Sequence, residues 1–184
     1  MKLLYTAAFV AYAQADTHDL TYKDMEDLVE GFLAGLGYTR DVMNCFTGTV
    51  GDNLEEVMTH FLESHDCQVD IYTVNMDTVW GLKNCFSDVA NITKNIGDGL
   101  QQCTEFDFTS EDKAMFRKLQ RKLRNPIGIV MKLGRDLLNF SSGALTKYMR
   151  EIDLMIKASA NLDFDAFGEH MGKLVSEITG VMHH

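Results

Sequence analysis

The chain has 184 residues, a formal net charge of −10 and 46% hydrophobic residues, which suits one domain with one substantial core. Its acidic bulk would repel a polyanion, which argues against nucleic acid as a partner. A single proline, Pro126, and apolar residues recurring at three and four exclude a β-sandwich of this size and predict an all-α bundle of five or six helices.

The chain opens MKLLYTAAFVAYAQA, with Lys2 as a minimal positive region, an apolar stretch from Leu3 to Ala13, and Ala13-Gln14-Ala15 as a cleavage pattern. That is the layout of a secretory signal peptide. Residues 1–15 are therefore expected to be a removable leader and residues 16–184 a secreted helical domain. A retained N-terminal helix is the alternative. No later stretch reaches the roughly 18 consecutive apolar residues of a transmembrane helix. Two sequons, Asn91-Ile92-Thr93 and Asn139-Phe140-Ser141, are candidate glycosylation sites compatible with a eukaryotic glycoprotein.

Thr21-Tyr22-Lys23-Asp24 reads as a capping box with an acid in the last place. A stripe of Leu28, Val29, Phe32, Leu33 and Leu36 follows, and Gly37 offers a stop. A second helical pattern runs from Val42 to Leu62, weakened at Gly48 and Gly51. A third covers roughly Thr73 to Cys103, with a break expected at Gly97 or Gly99. Thr109-Ser110-Glu111-Asp112 opens a fourth that stops before Asn125-Pro126. A long fifth helix is expected from Pro126 towards Ala158. A last one begins near Asp163 or Asp165 and ends by Gly180.

Four cysteines behind a leader imply two disulfides. On one straight helix Cys45 and Cys67 would lie about 33 Å apart, far beyond the roughly 7 Å a disulfide spans. Sequential pairing thus needs the chain to fold back at Gly48 or Gly51. Nested pairing, Cys45–Cys103 outside Cys67–Cys85, needs no break, because the arms of 22 and 18 residues nearly match. The nested ladder is favoured, with sequential pairing second. Its outer bridge would contribute on the order of 4 kcal/mol by restricting the unfolded chain. No C-x-x-C spacing suggests redox or zinc chemistry.

GFLAGLG, the Asp41-Val42 to Cys45 run and GDGLQQC, together with the closing NPIGIVMKLGRDLL and YMREIDLMIKASANLDFDAFGEHMGKL, resemble small secreted four-cysteine helical proteins of ciliated protists. Near the last helix that family repeats an aromatic residue followed by glycines four apart, here Phe167, Gly168 and Gly172. The resemblance implies the helical fold and pairing of the Cys45 and Cys103 positions. It implies no activity.

Charge is unevenly spread. Residues 16–112 carry 20 acids and 4 bases, whereas residues 113–184 carry 12 bases and 7 acids. The chain thus divides into an acidic, disulfide-braced half and a basic half. Lys113, Arg117, Lys118, Arg121, Lys122 and Arg124 fall within twelve positions. Lys113, Arg117, Arg121 and Arg124 share one side of a helix, leaving Ala114, Met115, Leu119 and Leu123 for the core. This stretch is the candidate interaction surface. It could pair with the acidic half of the same chain, dock head-to-tail on another copy, or meet an anionic lipid.

No catalytic, cofactor or metal signature is present. His60 and His65 are five apart and do not share a helix face; with Glu63, Asp66 and Cys67 they make only a weak metal candidate. Ten of the eleven methionines are spread over the helices and read as core filler. The sequence leads to a secreted, non-enzymatic structural or interaction protein that self-assembles head-to-tail into an extracellular polymer. Its partner would be itself or another protein. A soluble carrier of a lipid or other small apolar ligand is the alternative.

Overall fold

The computed structural model describes residues 20–38, 48–64, 76–102, 109–123, 131–132, 135 and 143–180. Among them are six helices and no strand: α1 (Tyr22–Gly35), α2 (Thr49–Ser64), α3 (Met76–Gln102), α4 (Ser110–Leu123), α5 (Ala144–Ala160) and α6 (Phe164–Thr179). The all-α expectation is met. Residues 1–15, expected to be a leader, and Cys45, Cys67, Cys103, Arg124, Asn139 and His65 lie outside the described residues.

Local chemistry explains most helix ends. At the start of α1 the Asp24 carboxylate accepts from the Thr21 N–H at 2.7 Å, while the Thr21 hydroxyl accepts from the Asp24 N–H at 3.3 Å. This is the expected capping box. Thr109 and Asp112 repeat it at α4. At the end of α1 the Tyr38 N–H donates to Leu33 O and the Gly37 N–H to Ala34 O. Gly37 has φ +95°, the left-handed turn that glycine adopts without a Cβ penalty. Asp163 caps α6 by accepting from the Ala166 N–H at 3.0 Å.

Two expectations are corrected. Helix α3 runs unbroken through Gly97 and Gly99, because both are buried and packing outweighs their weak helix propensity. The long fifth helix is interrupted: Gly143, at φ +62°, stands in the left-handed region before α5 begins at Ala144.

The centre of the molecule is the α1–α6 pair. Gly31 and Gly35 of α1 face Gly168 and Gly172 of α6 at backbone contact. A Cβ on Gly31 would stand 1.9 Å from Asp165 O, and one on Gly168 would stand 2.1 Å from Leu28 O. Likewise a Cβ on Gly35 would meet Glu169 O at 2.2 Å, and one on Gly172 would meet Phe32 O at 2.3 Å. Each glycine Cα therefore faces a carbonyl oxygen of the opposite helix, a geometry suited to Cα–H···O contacts. A step of four along α1 matches a step of four along α6 in the same direction. The two helices are parallel.

Around this pair Met25, Leu28, Val29, Phe32, Leu33, Phe167, Met171, Leu174 and Val175 are fully buried. Phe61 of α2 meets Phe167 edge-on, ring centroids 5.2 Å apart, an arrangement favoured by the ring quadrupoles. Helix α5 turns back antiparallel along α6, pairing Glu151 with His170 at 2.8 Å and Lys147 with Glu177 at 3.4 Å. Met58 and Met155 join the core, in keeping with methionine as gap filler.

Candidate interaction surface

Among its described side chains, helix α4 seats one edge. Leu119 is fully buried and Asp112 nearly so. The Tyr38 hydroxyl, just beyond the end of α1, donates to the Asp112 carboxylate at 2.9 Å and approaches Met115 Sδ at 3.3 Å. These contacts fix the start of α4 at the C-terminal end of α1. At its other end, Lys122 Nζ donates to Thr179 O at the C-terminus of α6. Helix α4 thus lies across the end where the parallel pair presents its unsatisfied carbonyls.

The remaining helix is basic and open. Lys113, Arg117, Lys118, Arg121 and Lys122 are all exposed. The side chains of Lys113, Arg117, Lys118 and Arg121 make no ion pair or hydrogen bond among the described residues. Ala114, expected on the core side, is exposed as well: Asp112, Met115 and Leu119 already occupy the inward arc, and Ala114 lies on the opposite side of the turn. The match between this helix and carboxylates of the acidic half does not occur among the described residues. Lys122 reaches a backbone carbonyl of α6, that of Thr179, instead.

Two further lysines, not singled out from the sequence, sit at the same end. Lys132 Nζ donates to Ile178 O at 2.6 Å and Glu177 O at 2.8 Å and stands 5.9 Å from the centroid of the Tyr148 ring. Lys147 pairs with Glu177. Cations here satisfy orphan carbonyls and complement the negative end of the helix dipole. Both fall inside the long helix expected from Pro126 towards Ala158, so no local signal marks them, and which helix end they reach is a tertiary matter.

The opposite end is acidic. The start of α6 lies beside Leu28 and Gly31 of α1 there, and the Tyr22 hydroxyl in the first turn of α1 donates to the Asp52 carboxylate of α2 at 3.0 Å, bringing a third N-terminus alongside. Asp24, Asp27, Asp52, Asp163 and Asp165 lie in or next to these turns. Burial raises the Asp165 carboxyl above the ordinary aspartate range, and Asp163, Asp27 and Glu169 push it the same way, with Lys23 opposing. Lys23 is already paired with Asp27, and Lys157, on α5, with Asp153.

Other candidate sites fall away or stay open. His60 is exposed and lies 3.9 Å from Asp88, which also accepts from the Ser64 hydroxyl at 3.2 Å. The serine addresses the carboxylate and not the imidazole, so this is no nucleophile–base pair. Among the described residues no group of three or more His, Cys, Asp or Glu could hold a metal. No described helix is long and apolar enough to cross a membrane. Cys85 is fully buried and disulfide-bonded; its partner lies outside the described residues. Asn91 is exposed in the middle of α3, whereas Thr93 of the same sequon is fully buried.

Compared with family models, curated proteins and solved structures, the chain matches none.

Proposed function

We propose that this is a secreted, non-enzymatic structural or interaction protein that binds an acidic protein surface through α4 and assembles with copies of itself into an extracellular polymer. One observation carries the reading: four exposed bases on one helix that make no ion pair among the described residues, on a chain whose net charge is −10. An uncompensated basic face on an acidic protein is attracted to other copies and steers their encounter. Kinship with the small secreted ciliate proteins and glycans on Asn91 and Asn139 belong to the same proposal.

The nested disulfide ladder is part of it. The contact between Ser64 and Asp88 supports Cys67–Cys85: Cys67 follows Ser64 by three residues, and Cys85 precedes Asp88 by three, about one helical turn. Cys45 shortly precedes α2 and Cys103 directly follows α3, which supports the outer rung at the other end of the two arms.

Sedimentation velocity of the purified chain at about 20 mM and about 500 mM salt, across a range of concentrations, tests the reading, because exposed charges are screened over roughly 10 Å at 0.1 M. Species that grow with concentration at low salt and dissociate at high salt are expected, with filaments in electron micrographs. A monomer under every condition overturns it. A lipid retained on that monomer in native mass spectra would favour the carrier instead.

A further inference from the structure

The two charged regions lie at opposite ends of one axis. Helices α1 and α6 are parallel, with 14 and 16 residues, so their first and last turns are separated by about 20 Å. At the N-terminal pole stand Asp27, Asp52, Asp163 and Asp165, where the bases Lys23 and Lys157 are each held in a pair on their own helix. At the C-terminal pole stands α4 with Lys113, Arg117, Lys118 and Arg121 exposed.

We propose that the basic face of α4 docks on the acidic N-terminal pole of α1, α2 and α6 in a second copy of this chain, giving a head-to-tail series. The proposal rests on the self-association argued above and names the surface that receives α4. Three features favour a second copy as the occupant. The surfaces are complementary in sign: the exposed bases of α4 make no ion pair among the described residues, and at the acidic pole Lys23 pairs with Asp27 while Asp52, Asp163 and Asp165 form no ion pair among the described residues. They face away from each other, so a chain cannot satisfy both with its own groups. A contact between two different surfaces at opposite ends repeats without closing unless its rotation happens to form a ring. Docking also sets the carboxylates crowding Asp165 against cations, which relieves their mutual repulsion.

Two doubly substituted chains test this. One carries Arg117→Glu and Arg121→Glu and lacks the head. The other carries Asp27→Lys and Asp165→Lys and lacks the receiving pole, while keeping Asp163 as the α6 cap. Circular dichroism matching the wild type establishes that each folds. Alone, each is expected to self-associate at least about tenfold more weakly than the wild type at low salt. Mixed, they are expected to form a discrete one-to-one dimer in sedimentation velocity, since one intact head meets one intact pole and growth then stops. If the pole variant associates like the wild type while the head variant does not, the receiving surface lies elsewhere. The inference then fails and the proposed function stands. A mixture that stays monomeric also overturns the inference. A monomeric wild type removes both readings.

Discussion

Thr93 and Leu162 are two residues whose environments work against them. The Thr93 hydroxyl is fully buried on α3 without a hydrogen-bond partner among the described residues, and a buried unsatisfied hydroxyl is unfavourable by about 1 kcal/mol or more. Thr93→Val is therefore expected to raise stability by about 1 kcal/mol in urea unfolding; a loss of that size would show that the hydroxyl finds a partner. The same substitution removes the Asn91 sequon, so Asn91→Gln serves as its control for any glycan. Leu162 has φ +55° at the end of α5, with its N–H donating to Ser159 O and the Asp163 N–H to Ala158 O. This is the turn that glycine usually makes. The side chain is 37% exposed and loses little packing when removed. Leu162→Gly should gain about 1 kcal/mol, the left-handed penalty of a residue with a Cβ, seen as a higher Tm.

At the scale of elements, the α1–α6 contact sets helix propensity against packing. Alanine is preferred over glycine inside a helix by about 1 kcal/mol, so propensity alone predicts that Gly31→Ala and Gly168→Ala stabilise. The contact predicts the reverse. Each added Cβ would stand near 2 Å from a backbone carbonyl oxygen of the facing helix, and backbone cannot rotate aside as a side chain does. The helices must separate and release packing around Phe32, Phe167 and Met171. Each variant is expected to lose at least about 3 kcal/mol, at the upper end of overpacking effects. Chemical denaturation decides the sign.

For the whole molecule, charge follows helix direction more closely than chain position. Asp163 and Asp165 belong to the basic half of the sequence, yet they stand with Asp27 and Asp52 at the acidic pole. Burial and these neighbours raise the Asp165 carboxyl. Between its unfolded and its raised folded pKa the folded state therefore binds the proton more strongly. Stability from this group falls as pH rises through that window and recovers as pH drops back. Asp165→Asn is accordingly expected to raise the Tm at neutral pH, with the advantage shrinking to nothing once the medium is acid enough to protonate Asp165. A constant difference at every pH would place the effect outside its charge.

By itself the sequence determined that the chain is helical, where α1, α4 and α6 begin, and where α1 and α6 stop. Those features rest on interactions within a few residues: Thr21 with Asp24, Thr109 with Asp112, Asp163 with the Ala166 N–H, and glycine at 37 and 180. It also singled out the basic run of α4 and the Gly168 and Gly172 spacing. Tertiary structure alone decided what those patterns meet. Gly31-x-x-x-Gly35 becomes legible as the mate of Gly168-x-x-x-Gly172 only once α1 and α6 lie parallel, because a glycine pair carries no address for its partner. The intact α3 and the break at Gly143 follow from packing and backbone angles that outweigh weak local preferences. The basic helix, read first as one half of a charge-divided chain, faces away from the acids because Tyr38, Asp112 and Leu119 seat it on the far pole. Which end of a fold a charge occupies depends on contacts distant in sequence, and no local pattern encodes them.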